Sequence, residues 1–188
     1  GFGVKWNEEV SGAWGGQAIT DLLTAIDDVA REPYIDRERL GAVGASYGGY
    51  SVYMLAGKHQ GRFKTFIAHC GTFDMKSWYG TTEEIFFANK DLGGAYWQNK
   101  ANPSYNEYSP SSYVDQWDTP ILILQGEQDF RVPLGQSMQA FQAARLRGIE
   151  ARMVLFPDEC HWILRPQDAL LWQAEFFSWL DKYLAPES

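Results

Sequence analysis

Three residue types in this chain have the chemistry and order of a covalent hydrolase: a serine, an acid and a histidine. Ser46 lies in Gly44-Ala45-Ser46-Tyr47-Gly48, a match to G-x-S-x-G. In that pattern the serine occupies a sharp strand-to-helix elbow that leaves its hydroxyl exposed at the C-terminal edge of a sheet. Glycines two before and two after remove the Cβ atoms that would collide where strand and helix pack closely. The next backbone N–H, from Tyr47, then faces the space where a carbonyl oxygen would bind. Taken alone, the pentapeptide also fits a glycine-rich turn with no chemistry. A serine hydroxyl is a weak nucleophile near neutral pH and needs an imidazole to take its proton and an acid to orient that imidazole.

Asp129 and His161 meet that need. Asp129 stands in Gly126-Glu127-Gln128-Asp129-Phe130-Arg131-Val132-Pro133, directly after the apolar run Ile121-Leu122-Ile123-Leu124. His161 stands in Pro157-Asp158-Glu159-Cys160-His161-Trp162, directly after Ala151–Phe156. Each is one strand-end further along, in the order serine, acid, histidine. His69, at the end of another strand, is the alternative base, and Glu127 the alternative acid. His59 reads as a solvent-exposed helix-end residue, Asp158 and Asp168 as surface charges, and Cys160 as a packing residue. His69-Cys70 and Cys160-His161 are poor metal pairs, because adjacent side chains rarely turn toward one ion; no metal or cofactor is expected.

The elements that must hold these residues read as alternating strands and helices. An amphipathic helix spans Gln17 to Arg31, with Ile19, Leu22, Leu23, Ile26 and Val29 recurring at helical spacing, and Pro33 stops it. Residues 4–15 read as a polar loop. A strand Leu40–Ala45 leads into Ser46, a helix follows from Gly49 to about Lys58, and Phe63–His69 is the next strand. Residues 71–118 show no clear strand. They carry short helical pieces at Met75–Tyr79, Glu83–Ala88 and Tyr113–Trp117, an excursion long enough to be a lid or pocket wall. The run at 121–124 is apolar throughout, as in a strand buried on both faces. A helix Leu134–Arg147 (Met138, Phe141 and Leu146 inward), the strand Ala151–Phe156 and a final helix Pro166–Leu184 complete the chain. In that last helix Leu170, Leu171, Phe176, Phe177, Leu180 and Tyr183 are the expected buried face. Four parallel strands alternating with helices define an α/β layered domain without internal repeats.

Composition narrows the function classes. The chain has 188 residues, a net charge of −8 and 45% hydrophobic residues. Its size suits one domain, and its acidity argues against nucleic acid or an anionic membrane surface as partner. No apolar run approaches a membrane span. Eight Trp, ten Tyr and eleven Phe exceed what a small core needs and suggest aromatic-lined pockets or a surface covered by something else. Two cysteines, Cys70 and Cys160, make no disulfide framework and do not distinguish cytoplasm from periplasm.

The elbow extended to Gly44-Ala45-Ser46-Tyr47-Gly48-Gly49-Tyr50, the Gly126-x-x-Asp129-x-Arg131-Val132-Pro133 segment and His161-Trp162 before a terminal helix together resemble the catalytic domain of the prolyl oligopeptidase family of serine peptidases. Gly1-Phe2-Gly3 and Gly12-x-Trp14-Gly15-Gly16 resemble the segment ahead of the nucleophile strand in that family. Arg131 in Asp129-x-Arg131-Val132-Pro133 is similar to the acylaminoacyl-peptidase and dipeptidyl-peptidase V branch. The resemblance implies an α/β-hydrolase fold with a mainly parallel three-layer sheet, in which Ser46 is nucleophile, Asp129 the orienting acid, His161 the general base and the Tyr47 N–H an oxyanion donor. It further implies that Phe73, Trp78, Tyr79, Arg131 and Val132 line the substrate pocket, and that the substrates are short peptides. A carboxylesterase or lipase-like hydrolase with the same triad is the alternative. The family's N-terminal β-propeller, its first hydrolase strands and its His-Gly-Gly-Pro-like loop are not in residues 1–188. Residues 1–188 are therefore expected to be the C-terminal part of a peptidase catalytic domain, with an open strand edge that favours self-association into a homo-oligomer and weak peptidase activity in isolation.

Overall fold

A computed structural model describes residues 3–186; Gly1 and Phe2 of the expected opening loop lie outside the described residues. Among the described residues a parallel four-stranded sheet runs in the order β1 (Gly41–Ala45), β2 (Thr65–His69), β3 (Ile121–Gly126), β4 (Ala151–Phe156). All three pairings are in register, from Gly41 opposite Thr65 to Gly126 opposite Phe156. Strand order follows chain order, so each connection crosses over the sheet, as parallel pairing requires.

Alternation along the central strands sends side chains to two separate cores. Phe66, Ala68, Ile121 and Ile123 pack on one face with Tyr50, Tyr53, Trp78 and Trp117. Ile67, Leu122 and Leu124 pack on the other with Phe156 and Trp179. This is the period of two expected of a strand, read on strands that are buried on both sides. On the first face lie α2 (Gln17–Val29), α3 (Tyr47–Ala56) and α6 (Gly135–Leu146); α7 (Pro166–Leu184) covers the second. The result is a helix–sheet–helix sandwich.

Several local expectations shift. Val4–Glu8 is a short helix, α1, where a loop was expected. The first long helix ends at Val29 rather than Arg31, and the strand expected from Phe63 starts at Thr65. Phe63 is held out of the strand because its N–H donates to His59 Nδ1 at 3.2 Å. In the excursion, α4 (Met75–Tyr79) is as expected and is capped by the Asp74 side chain. The next helix, α5, covers Ile85–Asp91 rather than Glu83–Ala88, since Glu83 N–H is taken by the Phe130 carbonyl and Glu84 N–H by Thr82 Oγ1. Tyr113–Trp117 is not an α-helix; Pro110–Gln116 forms 3₁₀ turns broken at Tyr113.

Burial in the outer helices also differs. In α6 the side chains toward the sheet are the small Ala140 and Ala144, which let the helix approach closely, while Met138 and Leu146 are exposed. In α7 the buried anchor is Trp179, whose Nε1–H donates to Thr65 Oγ1 at 2.7 Å, whereas Leu170, Leu171 and Phe177 are exposed. His59 is buried rather than exposed: the ring sits between Asp118, Thr119 and the Phe63 amide and closes the end of α3. β1 has β2 on one side, and an apolar groove of about 790 Å³ runs along it and α2, touching Leu22, Val29 and the half-exposed Val43. No helix among the described residues is long and apolar enough to cross a membrane.

Candidate active site

The C-terminal ends of the four parallel strands converge on one edge, and the three chemically competent residues follow β1, β3 and β4 there. Ser46 has φ 58° and ψ −119°, a left-handed conformation that costs a non-glycine residue energy and clusters at functional sites. The surroundings enforce it. Ser46 N–H donates to the His69 carbonyl at 2.9 Å, and the Ser46 carbonyl accepts the Tyr50 N–H that begins α3. A Cβ on Gly44 would run into the Gly48 carbonyl oxygen, so the close strand–helix approach depends on glycine at that position.

From Ser46 a hydrogen-bond chain runs inward. Ser46 Oγ lies 3.0 Å from His161 Nε2, and His161 Nδ1 lies 2.7 Å from Asp129 Oδ2. Both inner members are buried, at 7% and 2% exposure. The carboxylate is held from behind: Asp129 Oδ1 accepts the N–H groups of Arg131 at 3.0 Å and Val132 at 2.9 Å. Gln125 Nε2 approaches Oδ2 at 3.4 Å, and its own amide oxygen accepts from Ser137 Oγ at 2.7 Å. An acid fixed by backbone donors can hold an imidazole in one tautomer, and that imidazole can deprotonate a hydroxyl at hydrogen-bond distance. Glu127, the alternative acid, is exposed and outside this chain of bonds. His69, the alternative base, bonds instead to Trp172, whose Nε1–H donates to His69 Nδ1 at 3.2 Å. Burial, reinforced by the neighbouring His161, pushes the His69 imidazole down to about 4.

Sequence reasoning placed Cys160 beside the base as packing; its thiol is in fact exposed, with Sγ donating to the Trp162 carbonyl. Cys70 is the buried thiol, 4.0 Å from His161 Nε2, and burial raises it to about 12, which keeps it protonated. Among the described residues the metal-ligating atoms that gather are those of Cys70, Asp129 and His161. An ion there would have to displace the bonds that join His161 to Ser46 and Asp129.

A cleft of about 390 Å³ opens beside Ser46 and Tyr47, walled by Trp14, Trp78, Phe87 and Val132, with Arg131 and Glu84 paired at 3.0 Å on its rim. Three of the five expected pocket residues, Trp78, Arg131 and Val132, line it. The other two do not: Phe73 is core, its ring against Tyr53 and Trp117, and Tyr79 packs among Tyr96, Trp97 and Tyr105 with its hydroxyl on Asn89. The reason is helical geometry: in α4, consecutive residues diverge by about 100°, so Trp78 and Tyr79 cannot both face the cleft. Trp14 and Phe87 were missed as wall residues. Trp14 was visible only within the segment Gly12-x-Trp14-Gly15-Gly16, and Phe87 as one aromatic among several. Tyr47 contributes its side chain as well, its hydroxyl donating to the Trp14 carbonyl at 2.8 Å while burial raises it to about 12. Glu159 was also missed: it is buried and accepts the N–H groups of Leu164 and Arg165, which fixes the loop that carries His161.

The model of the prolyl oligopeptidase family matches residues 1–187 of the chain. Dipeptidyl-peptidase 5 of Porphyromonas gingivalis is 54% identical over 186 residues, covering 98% of this chain and 27% of the relative. Dipeptidyl-peptidase 5 of Schizosaccharomyces pombe is 32% identical over 185 residues, covering 97% of this chain and 27% of the relative. Among solved structures, the acylaminoacyl peptidase of Pyrococcus horikoshii superposes with a TM-score of 0.87 at 25% identity, over 96% of this chain and 30% of that one. The chain thus spans about 27% of the length of these curated relatives.

Proposed function

This chain belongs to the prolyl oligopeptidase family and has an α/β-hydrolase fold, and on that premise we propose that it is the catalytic part of a serine peptidase that cleaves short peptides through an acyl-enzyme on Ser46. The observation that carries the proposal is the unbroken chain Ser46 Oγ, His161, Asp129, at 3.0 and 2.7 Å. In the proposed cycle His161 Nε2 takes the Ser46 proton as Oγ attacks the peptide carbonyl. Asp129, held by the Arg131 and Val132 amides, stabilises the imidazolium that results. The Tyr47 N–H, at the start of α3, donates to the developing oxyanion. His161 then hands its proton to the leaving nitrogen, and a water repeats the sequence on the ester.

The cleft lined by Trp14, Trp78, Phe87 and Val132 supports an uncharged side chain in the acyl part of the substrate. The names of the relatives at 54% and 32% identity favour release of dipeptides from the amino terminus. We also propose that the first strands of the hydrolase sheet, a loop bearing the second oxyanion donor and a β-propeller belong to the same parent protein. The span of about 27% of the relatives and the apolar groove along β1 support this. Loss of one oxyanion donor costs about 10²–10³ in rate, so residues 1–188 alone are expected to turn over peptides weakly and to associate through the β1 edge.

The test is made on the full-length protein with dipeptide 4-nitroanilides, 4-nitrophenyl esters and a fluorophosphonate probe. The expected result is anilide hydrolysis and probe labelling, both abolished in Ser46→Ala. Cleavage of esters with no anilide or peptide cleavage would overturn the peptidase reading, and labelling that persists in Ser46→Ala would overturn the nucleophile.

A further inference from the structure

β3 is apolar from Ile121 to Leu124 and then carries one buried amide, Gln125, just ahead of Gly126. A primary amide has two N–H donors and a carbonyl acceptor, and leaving them unpaired in the interior costs free energy. Here each finds a partner. Gln125 Nε2 donates to the Gly126 carbonyl and to the Val132 carbonyl, at 3.1 Å each, and stands 3.4 Å from Asp129 Oδ2. Gln125 Oε1 accepts the Ser137 hydroxyl of α6 at 2.7 Å. Every partner lies in residues 126–137, and β3 runs between β2 and β4, so the whole arrangement is built from this chain.

The three oxygens around Nε2 only accept, and they fix which way the amide stands: a flipped amide would aim its own oxygen at all three. Ser137 supplies the donor that suits the opposite end. The three oxygens also span the loop that carries the acid. Gly126 opens that loop, Val132 closes it, and Asp129 is at its middle. The Arg131 and Val132 amides hold Oδ1, whereas Gln125 approaches Oδ2, the oxygen that lies 2.7 Å from His161 Nδ1. A methionine would fill the same space but bring no donor to these oxygens.

We propose that Gln125 is a positioning residue for the general base: its amide nitrogen ties the start of the acid loop to its end and caps Asp129 Oδ2, and so sets the oxygen to which His161 Nδ1–H donates. Two properties of the side chain are needed, reach and neutrality. A carboxylate of the same length would bring a negative charge against the Asp129 carboxylate and two carbonyl oxygens, where like charges repel. The Ser137 hydroxyl acts one step further out, through the amide it orients. Gln125 is not in the wall of the cleft beside Ser46, so its effect falls on proton transfer rather than on substrate binding. The inference rests on the Ser46, His161 and Asp129 reading proposed above.

The experiment measures kcat and KM of the full-length protein on a dipeptide 4-nitroanilide across the pH range in which it stays folded. Rates are taken per site labelled to completion by the fluorophosphonate probe, which removes loss of folded protein from the comparison. Gln125→Met is expected to lower kcat about 10- to 100-fold, from one lost hydrogen bond up to a displaced acid, with KM within about twofold of the parent. Gln125→Glu keeps a donor only while the introduced carboxyl holds its proton, so its kcat is expected to fall as pH rises, a basic limb that Gln125→Met does not share. Ser137→Ala leaves the loop bonds in place; it is expected to lower kcat about twofold to fivefold and to have no further effect in Gln125→Met. Should Gln125→Met not fold, the kcat of Ser137→Ala and the profile of Gln125→Glu carry the test. An unchanged kcat in Gln125→Met, or in Ser137→Ala, overturns the proposal. So does a raised KM with kcat unchanged, or a Gln125→Glu profile parallel to the parent's. Nitroaniline release that persists in Ser46→Ala is a different failure: it refutes the acyl-enzyme on which this role depends.

Discussion

Gly126 is the last residue of β3, at the point where the loop carrying Asp129 crosses the loop carrying His161. The two loops are laced by Glu127 N–H to the Phe156 carbonyl at 3.0 Å and Gln128 N–H to the Glu159 carbonyl at 2.9 Å. A methyl carbon on Gly126 would sit 2.5 Å from the Glu159 carbonyl oxygen and 2.8 Å from its carbon, and closer still to the carbonyl oxygen of Cys160. All of these are backbone atoms, so no side chain can swing aside. Restoring van der Waals contact requires about 1 Å of separation between the loops, and overpacking of this kind costs about 1–3 kcal/mol. Cys160 precedes His161, so that displacement falls on the 2.7 Å bond to Asp129. Misplacement by about 1 Å near the reacting groups can cost about 10²-fold.

Gly126→Ala is therefore expected to lower Tm by roughly 2–12 °C, taking about 2–4 °C per kcal/mol for a domain of this size, and to slow fluorophosphonate labelling of Ser46 about 10- to 100-fold. Gly135→Ala is the control: a Cβ there meets nothing within 4 Å at the first residue of α6, so labelling should match the parent and Tm should hold or rise slightly. Differential scanning fluorimetry and a labelling time course on both variants settle the matter. If Gly126→Ala labels at the parent rate with the parent Tm, the two loops do not determine each other's positions as the geometry implies.

Two further perturbations follow from buried groups. His69 is pushed down to about 4 from an ordinary 6.5, so between those values the unfolded chain binds a proton that the folded chain refuses. Stability is then full above about pH 6.5 and falls as pH drops toward 4, by roughly 3 kcal/mol from this residue. Urea midpoints at pH 7.5 and 4.5 should diverge less in His69→Gln than in the parent, and an equal divergence would assign the pH dependence elsewhere. Cys70, raised to about 12 by burial, should resist iodoacetamide at pH 8 in the folded protein while the exposed Cys160 is alkylated. Peptide mass mapping distinguishes the two, and modification of Cys70 without denaturant would show that its pocket opens in solution.

The central elements were legible because each carries a strong local signal. β3 reads as a buried strand from apolar residues alone, β4 and α7 have the expected bounds, and the elbow declares itself through Gly44 and Ser46. Ser46, Asp129 and His161 could be named together because parallel strands put their C-terminal ends on one edge, so chain order becomes spatial proximity. The misreadings came from places where long-range partners decide. His59 has no sequence neighbour that predicts its burial; Asp118 and Thr119 arrive from the far end of the excursion to satisfy it. In α7 the expected face holds in part: Trp179 is buried against β2 and β3 with Phe176, Leu180 and Tyr183 packed beside it, while Leu170, Leu171 and Phe177 lie outside. Within residues 71–118 the aromatics are too dense for spacing to separate wall from core. Phe73 and Tyr79 were therefore grouped with Trp78 although only Trp78 reaches the cleft.

One short loop connects all parts of the candidate site, which explains why its sequence is informative beyond the aspartate. Residues 129–132 present a carboxylate to His161, while the Arg131 and Val132 amides turn back to hold that carboxylate. The Arg131 carbonyl points the opposite way and accepts from both Trp78 Nε1 and Thr82 Oγ1, at 2.8 Å each. The Arg131 side chain reaches Glu84, just ahead of α5. The excursion that walls the cleft is thus pinned to the same four residues that hold His161. The Arg131 carbonyl and the Val132 N–H belong to one peptide unit, so the unit that accepts from Trp78 on one side donates to the Asp129 carboxylate on the other. Arg131 thus joins the wall of the cleft to the Asp129–His161 pair through both of its backbone groups and its side chain, which is why a residue two beyond the aspartate carries information about the whole site.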